Sequence, residues 1–147
     1  MVSRRTLLIS AVASASFARP AMAAPVKGVL YRNPHCACCG AYARYLERNG
    51  FNVTLKSTYD LTKVNALFGV PEALAGCHTM FLENRYVVSG LVPVAAIRKL
   101  LKEHPDIRGI SLPGMPPGAP GMKGTKRGPF VIMAIAKDGT SHVFATE

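Results

Sequence analysis

A chain of 147 residues with a formal net charge of +10 and 49% hydrophobic residues suits one domain with one core rather than two domains. Its cations are scattered and not interleaved with aromatics along a stripe, which argues against nucleic acid as a partner. Four cysteines are present, three of them within four positions, Cys36, Cys38 and Cys39.

Residues 1–23 read as an export signal. Arg4 and Arg5 form a positive start, Leu7 to Ala18 is apolar, and Ala21-Met22-Ala23 is a cleavage site. The apolar run is too short for a membrane span, which needs about 20 residues. Ser3-Arg4-Arg5-Thr6-Leu7-Leu8 also resembles a twin-arginine signal, although Leu7 stands where Phe is preferred. Cleavage after Ala23 and a periplasmic destination are expected. The remainder, residues 24–147, then loses Arg4, Arg5 and Arg19 and carries +7. No membrane span is expected in it, and a monomer is the default.

Gly28 to Tyr31 is a candidate buried strand, and Asn33-Pro34 opens the loop that carries the thiols. Tyr42, Tyr45 and Leu46 recur at helical spacing, with Asn49-Gly50 as the stop. Phe51 to Lys56 alternates as a strand. Asp60 is placed to cap a second helix through Phe68, stopped by Gly69, with a further turn from Pro71 to Leu74. Cys77 to Leu82 and Tyr86 to Gly90 read as a strand pair. Pro93 starts a third helix with Val94, Ile97, Leu100 and Leu101 on its apolar face, ending near His104-Pro105. Residues 109–129 are predicted to be one long loop, because Pro113 to Met122 is rich in Pro and Gly. Phe130 to Ile135, Asp138-Gly139 and Ser141 to Ala145 form a hairpin. This order predicts an α/β fold of thioredoxin-like type. Helices should flank a mixed central sheet, and the Pro/Gly/Met-rich loop should precede a C-terminal hairpin.

The thiols are placed for chemistry. Cys38 and Cys39 are adjacent, and a Cys36–Cys39 bridge would close too small a loop to remove much chain entropy from the unfolded state. Cys36 and Cys39 at a helix start form a C-x-x-C pair, whose thiolates the unpaired N–H groups and the helix dipole favour. That makes them redox candidates for thiol–disulfide exchange. Cys38 would complicate such an exchange, whereas a metal site gains a ligand. Cys77 begins the third strand, and in this topology it should face the thiol loop. An all-sulfur set of Cys36, Cys38, Cys39 and Cys77 selects Cu(I), Zn²⁺ or an Fe–S cluster. In an exported protein copper is favoured, and bridging thiolates suit a multinuclear Cu(I) centre, with zinc as the alternative.

Cys77 could instead be a buried small apolar residue. Met115 and Met122 offer soft thioethers, or simply anchor the loop. His35 and His78 flank the thiols and could ligate oxidised copper, tune a thiolate, or bond only to backbone. His104 and His142 read as surface residues, and Tyr42 and Tyr45 as core or rim.

The runs HCACCGAY, GVPEALAGCHT, VPVAAIRKLL and PGMPPGAPGM together resemble the CopG-like family of exported bacterial metal-binding proteins. The likeness runs from about residue 28 to the C-terminus. It implies a thioredoxin-like fold, copper bound by the four cysteines, a role in copper resistance and redox chemistry on the bound copper. Other periplasmic copper-handling proteins would be the partners. Cys36, Cys38, Cys39 and Cys77 match the family's cysteines, and Met115 and Met122 its methionine loop. Tyr42 stands where the family often has Trp, and Ala37 where Gly is common; neither removes a ligand.

Overall fold

The computed structural model describes residues 24–147. The expected export signal over 1–23 lies outside them. The elements run β1 (Val26–Arg32), α1 (Ala37–Arg48), β2 (Phe51–Ser57), α2 (Leu61–Phe68), a 3₁₀ turn (Glu72–Leu74), β3 (His78–Leu82), β4 (Tyr86–Gly90), α3 (Val94–Glu103), β5 (Gly109–Leu112), β6 (Val131–Ile135) and β7 (Ser141–Thr146). They form one seven-stranded mixed sheet in the order β2-β1-β3-β4-β5-β6-β7. β2 is parallel to β1 and β5 to β4, and the other neighbours are antiparallel.

Strand alternation splits the apolar residues between the two faces. Leu30, Met80, Leu82, Val88, Ile110 and Ile132 pack with Tyr42 and Leu46 of α1 and with Ile97 and Leu100 of α3. Val87 and Ile135 pack on the other side with Val70 and Leu74, beside Phe68 and Phe81. Each fully buried Leu, Ile or Val contributes about 1.5–3 kcal/mol. α3 therefore docks through its apolar stripe rather than by helix propensity.

Local capping chemistry sets several boundaries. Asp60 accepts a hydrogen bond from the Lys63 N–H at 2.9 Å and so caps α2. Asn65, buried on the same helix, accepts one from Thr79 of β3. α1 stops at Asn49, and α3 stops at His104, whose left-handed backbone precedes Pro105. One expectation is corrected. Residues 109–129 are not a single loop, because Gly109–Leu112 form β5, buried throughout and paired with β4 and β6. Four residues are too few for a period-two signal, and both faces are covered, so no alternation marks the strand.

The three N-terminal parallel and antiparallel pairings bring one end of the sheet to a focus. β1 ends there, β3 begins there and β4 ends there. Backbones meet closely at that seam: a Cβ on Gly76 would lie 2.4 Å from the Cα of Gly90. Only hydrogen atoms fit between them, so the segment that carries Cys77 lies flat against the end of β4.

Candidate metal centre

β1 delivers the chain to the thiol loop, and Arg32 at its end holds that loop. Its guanidinium Nη1 donates to the carbonyls of Pro34 at 3.1 Å and Cys36 at 3.3 Å. Asn33 Oδ1 accepts from the His35 N–H at 2.9 Å, and the Asn33 carbonyl accepts from the Cys36 N–H at 3.0 Å. The loop is thereby wound into the first turn of α1. Cys36 is the N-cap, and its side chain makes no capping hydrogen bond. The first-turn N–H groups of α1 are thus left without a side-chain cap from Cys36.

Cys77 enters from the opposite side. Its sulfur lies 3.4 Å from Cys38 Sγ and 3.8 Å from Cys39 Sγ, and Cys38 Sγ lies 3.3 Å from Cys36 Sγ. All four sulfurs lie within 4.8 Å of one another. Cys36 and Cys39 form a disulfide with Cα atoms 5.5 Å apart, while Cys38 and Cys77 are free thiols. Metal–thiolate bonds of about 2.3 Å require sulfurs about 3.8–4.0 Å apart around a tetrahedral or trigonal ion. Only the Cys39–Cys77 spacing of 3.8 Å matches that edge length; the 3.3 and 3.4 Å spacings are shorter, and Cys36–Cys39 is closed as a disulfide. The donor set therefore fits a soft metal once the disulfide is reduced and the sulfurs spread by about half an ångström.

Burial pushes the Cys77 thiol up to about 12, helped by its contact with Cys38. In the metal-free protein it is protonated at neutral pH, and a metal that binds it must displace the proton. His78 is fully buried, its ring 4.7 Å from that of Tyr42 and its Nδ1 3.4 Å from Cys77 Sγ. Desolvation pushes its pKa down to about 4, against a smaller opposing effect of the Gly90 backbone. Nε2 has no hydrogen-bond partner, so the imidazole is a neutral wall of the site. Tyr42, also buried, has its phenol raised by desolvation first and then by Tyr45 and Cys77. Its hydroxyl donates to the Val92 carbonyl at 2.8 Å, and Tyr45 Oη accepts from the Val94 N–H at 3.0 Å. The two tyrosines thus tie α1 to the start of α3.

The comparisons with known proteins meet this geometry. A solved structure described as copper resistance protein CopG, form 2, is 35% identical, with a TM-score of 0.77. The match covers 84% of this chain and 98% of that one. The chain belongs to the CopG family. Form 1 of the same relative matches at 35% identity and a TM-score of 0.76, over the same shares. The family described as "Protein of unknown function, DUF411" matches residues 74–122. None of the curated proteins matches.

Around the sulfurs of this CopG-family chain, the other predicted residues are placed unequally. Met122 packs against the main core and follows Gly121, where a Cβ would lie 2.8 Å from the Cys38 carbonyl oxygen. The Pro/Gly-rich loop therefore rests on the thiol turn through a residue with φ +90° and no side chain. Met115 is 39% exposed. His35 is exposed, its ring 6.4 Å from that of Tyr59 and outside the sulfur group. Two contributors were missed from sequence. A lone Arg32 at a strand end and a lone Gly121 in a loop with many glycines carry no local signal of the contacts they make.

Proposed function

We propose that this protein is a periplasmic copper-binding protein of thioredoxin-like fold that serves copper resistance. It would hold Cu(I), more than one ion per chain, on Cys36, Cys38, Cys39 and Cys77. The observation that carries this reading is the meeting of four sulfurs from two segments, 3.3–3.8 Å between neighbours, in a chain related to a copper resistance protein. Adjacent sulfurs on a common pocket suit bridging thiolates, and soft donors without carboxylates suit Cu(I). The β1-α1-β2-α2-β3-β4-α3 run, with sheet order β2-β1-β3-β4, supports the thioredoxin-like part of the reading. Met122 and His78 are kept as adjoining groups, with Met115 and His35 as outlying ones.

The test is anaerobic Cu(I) titration of the fully reduced residues 24–147 against a competing chelator. At least about one copper per chain is expected, and Cys77→Ser should lose most of the tight binding. Less than one copper, or no loss in that variant, overturns the assignment. Zinc is excluded as the physiological ligand if Cu(I) displaces it and raises the melting temperature further.

A specific observation favours a second reading. The Cys36–Cys39 disulfide at the N-terminus of α1 is the arrangement used for thiol–disulfide exchange. Metal-free protein would then reduce a disulfide substrate such as insulin, and Cys38→Ser would retain that activity. A requirement for all four cysteines would favour copper.

A further inference from the structure

We propose that the copper capacity of this site is set by thiol oxidation in two two-electron steps, the second of which closes a bridge between Cys38 and Cys77; this rests on the copper reading above. One step is complete in the structure, where Cys36 and Cys39 are bridged and Cys38 and Cys77 are free. The free pair is placed for the next. Its sulfurs lie 3.4 Å apart, in van der Waals contact, so small side-chain rotations bring them to bonding distance. The backbones that carry them are held. A Cβ on Gly76, just before Cys77, would meet the Gly90 Cα at 2.4 Å, and one on Gly121 would meet the Cys38 carbonyl oxygen at 2.8 Å. Such close packing keeps the two carriers facing each other. Both free thiols are partly exposed, whereas Cys39 is fully buried, so a small oxidant reaches the free pair.

Four cysteines allow three pairings. One needs a strained bridge between the neighbours Cys38 and Cys39. Of the others, Cys36–Cys38 with Cys39–Cys77 requires the existing bridge to break, whereas Cys38–Cys77 completes it. The step is thiol–disulfide exchange, with an external disulfide as oxidant. One thiol of the pair attacks that disulfide, and half of it leaves as a thiol carrying the attacking group's proton. The other thiol attacks the protein sulfur of the mixed disulfide and forms the Cys38–Cys77 bond. Its proton goes to the second departing thiol. Two electrons pass to the oxidant, and a dithiol reductant reverses the step. Cu(I) keeps its oxidation state throughout. Among the described residues, the group of mutually close donors holds the four cysteines and no histidine or carboxylate. Each bridge removes two thiolates from it, and a bridged sulfur is no longer an anionic ligand. Four thiolates serve more than one Cu(I), two serve one ion, and the second step leaves none.

Reduced, metal-free protein is titrated anaerobically with diamide, a two-electron thiol oxidant, and free thiols are counted by alkylation and mass spectrometry. The count should fall from about four to about two after one equivalent and to about zero after two. Peptide mapping should then find Cys36–Cys39 and Cys38–Cys77. Acetonitrile-bound Cu(I), offered at each stage, should load more than about one ion per chain, then about one, then less than about 0.1. The variant Cys36→Ser/Cys39→Ser keeps only the second pair, so it should close one bridge and lose its copper in a single step. Should that variant fail to fold, the wild-type titration alone decides. Any of four results overturns the inference: two thiols that persist under excess diamide, a map of Cys36–Cys38 with Cys39–Cys77, bridges between chains on a non-reducing gel, or copper retained by the doubly bridged protein. Thiol counting without metal is independent of the copper reading. If the reduced protein takes up no copper, that reading fails and the graded capacity with it. Copper uptake that ignores the thiol count sinks this inference alone.

Discussion

The four sulfurs all come from the half of the molecule that runs from β1 to α3, and β5 to β7 supply none. The first half builds its pocket from regular elements that end at one edge of the sheet. The second half sends an irregular loop back to cover it, touching down at Gly121. The contrast separates two tasks. Ligand placement needs rigid ends of helices and strands, whereas covering the site needs only a loop with one position bare enough to meet backbone.

The sharpest way to break this division is at the seam of the first half. Gly76→Ala would drive a methyl into the Gly90 backbone. We expect a loss of about 3 kcal/mol or more in urea unfolding, with Cys77 displaced from the other sulfurs. A loss under about 1 kcal/mol would mean that the seam yields and does not position Cys77.

Acid should act on the same half through His78. Its folded pKa of about 4 lies below its ordinary 6.5. The unfolded chain therefore binds the proton more readily, and stability present above pH 6.5 is lost as pH falls towards 4. The loss is on the order of 3 kcal/mol in the metal-free protein. Unfolding at pH 7, 5.5 and 4 checks it, and His78→Gln should flatten that dependence. A wild-type profile no steeper than the variant's would refute the burial argument.

The covering half should respond more mildly. Gly121→Ala combines a strained φ with contact against Cys38 and should cost about 1–3 kcal/mol. It should also speed copper release, measured by chelator competition, without changing copper content at saturation. A lower content would mean that the loop is part of the ligand set. Met115→Ala, on an exposed side chain, should change stability by less than about 0.5 kcal/mol. Met122→Ala should cost more, because Met122 packs on the core.

Much of the first half was legible because its signals are local. Asp60 before α2, Asn49-Gly50 after α1 and the alternation of Phe51 to Lys56 act over one to four residues, and those elements stand where such chemistry puts them. β5 was not legible, since its pairing partners on β4 and β6 are brought alongside only by the sheet. At the site, clustering of three thiols and their helix start could be read directly. The exposure of His35 and the seat of Gly121 could not, because neither follows from spacing.

The primary structure alone settled that three thiols crowd the start of a helix, which leaves soft-metal binding and thiol–disulfide exchange as the chemistries to test. Whether Cys77 stands 3.4 Å from Cys38, 39 positions earlier, depended on the order in which β1, β3 and β4 lie side by side. Capping and periodicity are short-range forces, carried by a few covalent neighbours. Convergence of distant sulfurs depends on which strand ends share an edge, and that is fixed only when the two cores close.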